Sequence, residues 1–268
     1  MIPRSGEIYS SEYYTSMRGG HEDGKVVFYR NALKGVAGRI TGKVVLDVGC
    51  GRGELAELLL REGAGRVVAV DFSAVAVELT RARLESAKMD PARYEVRQCD
   101  ITAPYPEWEG RFDYIFMLDV IEHLPKGDLE KGMANCRTLL KEQGEIHFHT
   151  FPTRLPHRML LALLAVVQPA KKREIESIHS NVQTRRSLAA VLAESHLSRR
   201  EMRLENDLLA SSSFYYAMRP GIAKSLLKFF FGSVPAWRWF RAVTALLGAE
   251  ELFYMSIYGV AVKYNVKP

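Results

Sequence analysis

The chain has 268 residues, enough for one large α/β domain, or for a domain of about 150 to 200 residues with an elaboration. Its apolar share of 47% is that of an ordinary globular protein, and no stretch reaches the roughly 18 uninterrupted apolar residues of a membrane span. The formal charge of +6 is unevenly divided: residues 1–150 hold 20 Lys and Arg against 23 Asp and Glu, whereas residues 151–268 hold 17 against 8. A basic excess confined to one part attracts phosphate-bearing partners, either a membrane surface or a nucleic acid. Cys50, Cys99 and Cys136 fit no zinc or disulfide spacing, which predicts buried thiols in a reducing cytosol. The opening MIPRSGEIYSSEYY has no apolar run, so no secretory signal is expected there.

In chain order, Gly42-Lys43 introduces the apolar run Val44-Val45-Leu46, a glycine cluster comes next, and Glu54 to Leu60 has a helical pattern. The alternation repeats. Val67 to Val70 reads as a second strand, Ala74 to Ala87 as a helix, Tyr94 to Gln98 as a third strand and Phe112 to Met117 as a fourth. Leu129 to Lys141 is helical, and Glu145 to Phe148 is a fifth strand after the Gly144 turn. Short buried strands separated by helices imply right-handed crossovers and a parallel sheet covered on both faces. After Pro152 the rhythm changes: Met159 to Val167 is continuously apolar and precedes Lys171-Lys172-Arg173, which reads as an insertion. Ser187 to Glu194 resumes as a helix, Arg200 to Leu204 is a sixth strand, and Phe253 to Val262 is the last. The prediction is a doubly wound, Rossmann-like, mostly parallel seven-stranded sheet, with a helical insertion after strand five and a helical segment before the last strand. Its parts are an N-terminal segment (1–42), a core (43–152), the insertion (153–180) and a remainder (181–268) that holds the basic, apolar segment 219–250.

Between the first strand and the first helix stands Asp47-Val48-Gly49-Cys50-Gly51-Arg52-Gly53. Glycines at alternate positions serve a sharp turn and a ligand that touches backbone. A dinucleotide site requires a small residue where Glu54 stands, and an acid near a helix N-terminus repels a pyrophosphate. The expected ligand is therefore a nucleoside without phosphates. Asp71, ending the second strand, can accept hydrogen bonds from both ribose hydroxyls, Phe72 can pack on adenine, and Asp100 ends the third strand within reach of the adenine amino group.

VLDVGCGRG, VVAVDFS, QCDI, FDYIFMLDVIEHLP and GEIHFHTFP, spanning roughly residues 43 to 152, resemble the motifs of class I S-adenosylmethionine-dependent methyltransferases. The resemblance implies that Asp47, Gly49, Cys50, Gly51 and Gly53 form the first motif, which holds the methionine part of S-adenosylmethionine. It likewise implies that Asp71 holds the ribose, Asp100 and Ile101 contact adenine, and Leu118 lies beside the cofactor. Arg30 stands where the ubiquinone-pathway O-methyltransferases have an arginine that pairs with the cofactor carboxylate. Tyr13 and Tyr14 stand where such enzymes often carry a lid.

Asp119, Glu122 and His123 are spaced to share one helix face if the loop after the fourth strand opens into a helix. Carboxylates grouped with an imidazole can ligate a divalent metal or form a general base. Glu122-His123 also resembles the E-x-x-E-H sequence of the ubiquinone-pathway enzymes and of the small-RNA terminal 2′-O-methyltransferases. That resemblance implies a divalent metal, such as magnesium, held by Asp119, Glu122, His123 and His179, although Asp119 replaces the usual Glu with a shorter reach. The reading of the residues leaves open that Glu122-His123 only shapes the pocket. His123, Glu122 and His149 are the candidate catalytic residues, with His123 as base.

The second part sets bulky apolar residues beside cations in Leu160 to Val167, flanked by His157-Arg158 and Lys171-Lys172-Arg173, and in Leu226 to Phe231 and Trp237 to Arg241. Such pairs suit a membrane interface, a core or a dimer contact. Taken together, the sequence predicts O-methylation of a hydrophobic or lipid-linked acceptor by a cytoplasmic protein peripheral to the anionic inner face of the membrane. The rivals are an RNA 2′-O-methyltransferase whose basic part binds nucleic acid, and a small-molecule methyltransferase with no membrane role.

Overall fold

The computed structural model describes residues 14, 29–30, 32–151, 153–205 and 256–264. The strands are β1 (Val44–Val48), β2 (Arg66–Asp71), β3 (Tyr94–Gln98), β4 (Phe112–Leu118), β5 (Leu140–Thr150), β6 (Leu197–Glu205) and β7 (Ser256–Lys263). They form one seven-stranded sheet in the order β3-β2-β1-β4-β5-β7-β6. β1 to β5 are parallel, while β7 runs antiparallel to both β5 and β6. This is the doubly wound architecture that the alternation of elements predicts.

The helices are α1 (Glu54–Arg61), α2 (Ala74–Ser86), α3 (Lys126–Leu139), α4 (Arg154–Val167), α5 (Pro169–Ile178) and α6 (Arg185–Glu194). One sheet face packs Val45, Val67, Ala69, Phe116 and Tyr258 against α1, α2 and the segment from Ala32 to Ile40. The other packs Leu46, Val68, Ile115, Met117 and Phe148 against α3 and α6. Each fully buried aliphatic or aromatic side chain in these layers contributes about 1.5–3 kcal/mol. Local signals place the helix starts. Ser73 Oγ caps α2 by accepting from the Ala76 N–H, Thr184 and Ser187 form a capping box on α6, and Pro169 separates α5 from α4.

β5 begins at Leu140, earlier than the apolar pattern suggests, because Leu140 pairs with Phe112 ahead of a register shift. α3 begins at Lys126 because Pro125, at its N-cap, has no N–H to leave unsatisfied. The segment 219–250 and Tyr13 lie outside the described residues; Tyr14 is buried. Strand order reverses between β1 and β4, so the crevice at their carboxyl ends is where an open α/β sheet takes its ligand.

Candidate active site

β1 delivers Asp47 to that crevice, and the chain then turns through Gly49, Gly51 and Gly53 with φ of 75°, 54° and 80°. At Gly49 the turn has no room for a side chain, because a Cβ there would lie 2.4 Å from Val120 Cγ2. The Gly49 and Cys50 N–H groups donate to the Val70 carbonyl at 2.8 and 3.0 Å, which fastens the loop to β2. Asp71, at the end of β2, completes the tie: its Oδ2 accepts from Gly51 N–H at 3.1 Å and its Oδ1 from Ser73 N–H at 2.9 Å. Glu54 opens α1 and is buried, with Arg52 and Arg83 each 3.6 Å away.

Asp47 is 2% exposed, and its Oδ2 has no hydrogen-bond partner among the described residues. Burial, reinforced by the nearby Asp71 and Glu54 carboxylates, pushes its carboxyl up to about 8. A buried polar oxygen left unsatisfied costs about 1–3 kcal/mol, so Asp47 suits a ligand that brings a cation or an N–H donor. The Asp71 carboxyl is also raised by burial, against the pull of its backbone N–H donors.

Tyr29 shares this field. Its phenol is held well above the usual range by burial, and the charges of Glu54, Asp119 and Asp47 add to that. No motif pointed to Tyr29; a single tyrosine before the first strand carries no periodic or spacing signal.

Phe72 is 39% exposed beside Asp71, an apolar platform at the crevice edge. Asp100 Oδ1 accepts from the Thr102 N–H and hydroxyl at 3.0 and 2.8 Å, while Ile101 is buried with its carbonyl bound to Asn135. Leu118 is buried at the end of β4. Cys50 is buried behind the loop, with Thr80 Oγ1 3.3 Å from its sulfur. Arg30 is exposed.

Asp119, Glu122 and His123 do not share a helix face. Asp119 takes a left-handed φ of 57° directly after β4, and the helical turn beyond it is a single 3-10 turn, Ile121–His123, too short to align the three side chains. Asp119 Oδ1 meets His149 Nδ1 at 2.5 Å, and its N–H donates to the His149 carbonyl at 3.2 Å. Glu122 is buried and accepts from Thr150 Oγ1 at 2.9 Å. Burial and then the Asp119 charge raise the proton affinity of the Glu122 carboxyl. His123 Nδ1 lies 2.9 Å from the Ile178 carbonyl oxygen. The His123 ring centroid is 5.3 Å from that of His179, which is 5.6 Å from that of His157. Burial lowers the proton affinity of all three imidazoles.

Among the described residues, no group of three or more His, Cys, Asp or Glu side chains is arranged to hold a metal ion. Asp119, Glu122 and His123 each face a different protein partner: His149, Thr150 and the Ile178 carbonyl. The arrangement thus does not fit the shared magnesium site that the resemblance implied. His147, on the same face of β5 as His149, belongs to a buried network instead, with Tyr258 Oη at 2.7 Å and Glu145 Oε2 at 3.0 Å.

A Rossmann-like sheet whose first crossover carries a glycine loop between Asp47 and Asp71 defines the class I methyltransferase fold. Residues 45–144 match the family model described as a methyltransferase domain. The ubiquinone biosynthesis O-methyltransferase of Azotobacter vinelandii is 37% identical over 127 residues, which are 47% of this chain and 51% of that protein. Its namesake in Acinetobacter baylyi is 35% identical over 128 residues, 48% and 51% of the two chains. The chain thus spans about half the length of the curated relatives it matches. Among solved structures, a geranyl diphosphate methyltransferase in complex with S-adenosylmethionine superposes with a TM-score of 0.62 at 15% identity, covering 95% of this chain and 91% of that one. Magnesium protoporphyrin IX methyltransferase from Synechocystis, with bound S-adenosylhomocysteine, gives 0.57 at 16% identity over 90% and 84%. At such identities the likeness is one of fold.

Proposed function

We propose that the chain is an S-adenosylmethionine-dependent methyltransferase that O-methylates a hydrophobic or lipid-linked acceptor at an anionic membrane surface, on its cytoplasmic side. The observation that carries the first half is the loop from Asp47 to Gly53, tied to Asp71 and carrying an unsatisfied carboxylate oxygen. Asp47 and the loop backbone would hold the methionine part, Asp71 the ribose, and Phe72, Asp100 and Ile101 the adenine. The cofactor supplies an electrophilic methyl group on a sulfonium; the residues align the acceptor oxygen with it and take away the acceptor's proton.

The second half draws support from the curated relatives' names and from α4. There Arg154, Arg158, Ala162, Ala165 and Val166 are exposed, Val166 by 83%, while Leu164 is buried. An exposed face that joins small apolar residues to arginine suits the headgroup region, where the cation meets lipid phosphate. His157, read from sequence as one of the flanking cations, is buried against His179 instead. No helix among the described residues is long and apolar enough to cross a membrane.

The test is transfer of labelled methyl from S-adenosylmethionine into a whole-cell extract, followed by partition between organic and aqueous phases. Label in the organic phase supports the proposal; label in nucleic acid promotes the RNA reading. Co-sedimentation with phosphatidylglycerol vesicles, weakened by salt and by the pair Arg154→Glu and Arg158→Glu, tests the membrane surface.

A further inference from the structure

We propose that Asp119 and His149 together manage the acceptor's proton, so that the site does without the metal its sequence motif suggests. Asp119 is the residue that touches the acceptor, and His149 is the positioning residue behind it. This rests on the methyltransferase reading above.

The two residues are held together twice. The side chains meet at 2.5 Å and the Asp119 N–H reaches the His149 carbonyl at 3.2 Å, where Leu118 and His149 are register partners across β4 and β5. To make both bonds, Asp119 adopts φ 57°, a backbone state costing a residue with a Cβ about 1–2 kcal/mol, though Asp and Asn tolerate it best. Strain of this kind persists only where its surroundings fix it, and it gathers at functional sites.

Exposure divides the roles. His149 is fully buried, whereas the Asp119 side chain is 32% exposed, so only the carboxylate is open to an incoming hydroxyl. The pair also lies at the cofactor loop. The next residue, Val120, packs where a Gly49 side chain would be, and Asp119 acts on Tyr29 together with Asp47 and Glu54. The motif's other members are committed elsewhere: Glu122 to Thr150, His123 to the Ile178 carbonyl.

The step balances without a further reactant. The acceptor hydroxyl donates to the Asp119 carboxylate; as the oxygen–methyl bond forms and the sulfur–methyl bond breaks, the proton passes to that carboxylate and later to water. The His149 Nδ1–H bond keeps the carboxylate in place throughout. A bond to a charged group is worth about 10- to 100-fold in such an alignment.

Three variants and one metal titration test this, with organic-phase label from total lipid extract as turnover. Asp119→Asn fits the left-handed backbone and is expected to keep S-adenosylhomocysteine binding in calorimetry while kcat falls by about 10²–10⁴. His149→Leu should lose about 10- to 100-fold in kcat with KM for the cofactor unchanged, whereas His149→Asn, whose amide replaces the Nδ1–H, should recover most of it. The NMR signal of the His149 Nδ1 proton should lie downfield and vanish in Asp119→Asn. Chelation with EDTA should leave turnover intact, and Mn²⁺ followed by electron paramagnetic resonance should show no saturable binding.

Unchanged turnover in Asp119→Asn, a missing Nδ1 proton signal, or Mn²⁺ binding that disappears with Asp119→Asn would each overturn the proposal. If the wild type binds no cofactor or labels no lipid, the functional reading fails instead, while the NMR signal and the Mn²⁺ titration still decide the pair.

Discussion

Substituting Gly49 tests whether the β1–α1 turn and the loop after β4 are built against each other. With φ at 75°, any residue with a Cβ costs about 1–2 kcal/mol, and a Cβ 2.4 Å from Val120 Cγ2 forces a displacement costing about 1–3 kcal/mol more. Gly49→Ala should therefore lose about 2–5 kcal/mol, a fall in Tm of roughly 5–15 °C for a protein of this size. Gly51→Ala is the control: its φ is 54°, but its added Cβ meets nothing nearer than the Gly49 carbonyl oxygen at 4.0 Å, so only the backbone cost applies. Calorimetry on these variants and on Gly49→Ala combined with Val120→Ala closes the cycle. The second change removes the obstructing methyl and should return about 1–3 kcal/mol as coupling energy. If Gly49→Ala is no worse than Gly51→Ala, or if Val120→Ala returns nothing, the two loops are not in contact and the placement of Asp119 beside the cofactor loop falls with it.

Asp47, protonated below about 8 in the free protein, must ionise to hold a cationic amino group, so cofactor affinity should rise between pH 6 and 8 with proton release; Asp47→Asn should remove both effects in calorimetry run in buffers of different ionisation enthalpy. Glu145 is opposed by burial but held down to about 2 by His147 and Arg39, so its contribution to stability is complete above the usual carboxyl range and disappears as pH falls from about 4.5 towards 2. Glu145→Gln should cost about 2–3 kcal/mol at pH 7 by urea unfolding and flatten that acid limb, less than for a wholly buried pair because Arg39 and Arg200 reach water. Burial raises all three thiols, Cys99 to about 11 and Cys136 to about 12, so the native protein should resist a thiol-specific reagent at pH 8 and react fully once denatured; rapid reaction of any one would contradict its burial.

The alternation of strand and helix was legible because β1, β2 and β4 are short runs rich in apolar residues and α1 carries an apolar stripe. The crevice at the end of β1 was legible for the same reason, since Asp47, the glycines and Asp71 are adjacent to element ends that the pattern locates. What periodicity missed depends on distant pairs. Glu145 is bound by Arg39 and Arg200, 106 and 55 residues away, and the partners of His147 and His149, Tyr258 and Asp119, lie 111 and 30 residues off. The helix face expected for Asp119, Glu122 and His123 failed on one backbone angle: Asp119 turns left-handed before the helical turn begins. Spacing of three and four residues implies a shared face only when the helix already includes the first of them.

The crevice also has a charge logic. Asp47, Glu54, Asp71 and Asp119 bring four carboxyl groups to one end of the sheet; burial first, and then charges among these acids, raise the proton affinities of Asp47 and Tyr29. Such a field opposes a pyrophosphate, which agrees with Glu54 standing where a dinucleotide fold needs a small residue. It favours a sulfonium with a cationic amino group, and it favours that sulfonium more than the neutral thioether left after methyl transfer. The unsatisfied oxygen of buried Asp47 would be met by the amino group, which methyl transfer leaves unchanged, so any preference for the cofactor over its product would fall on the sulfonium alone. The sign of the field thus agrees with the ligand class read from Glu54.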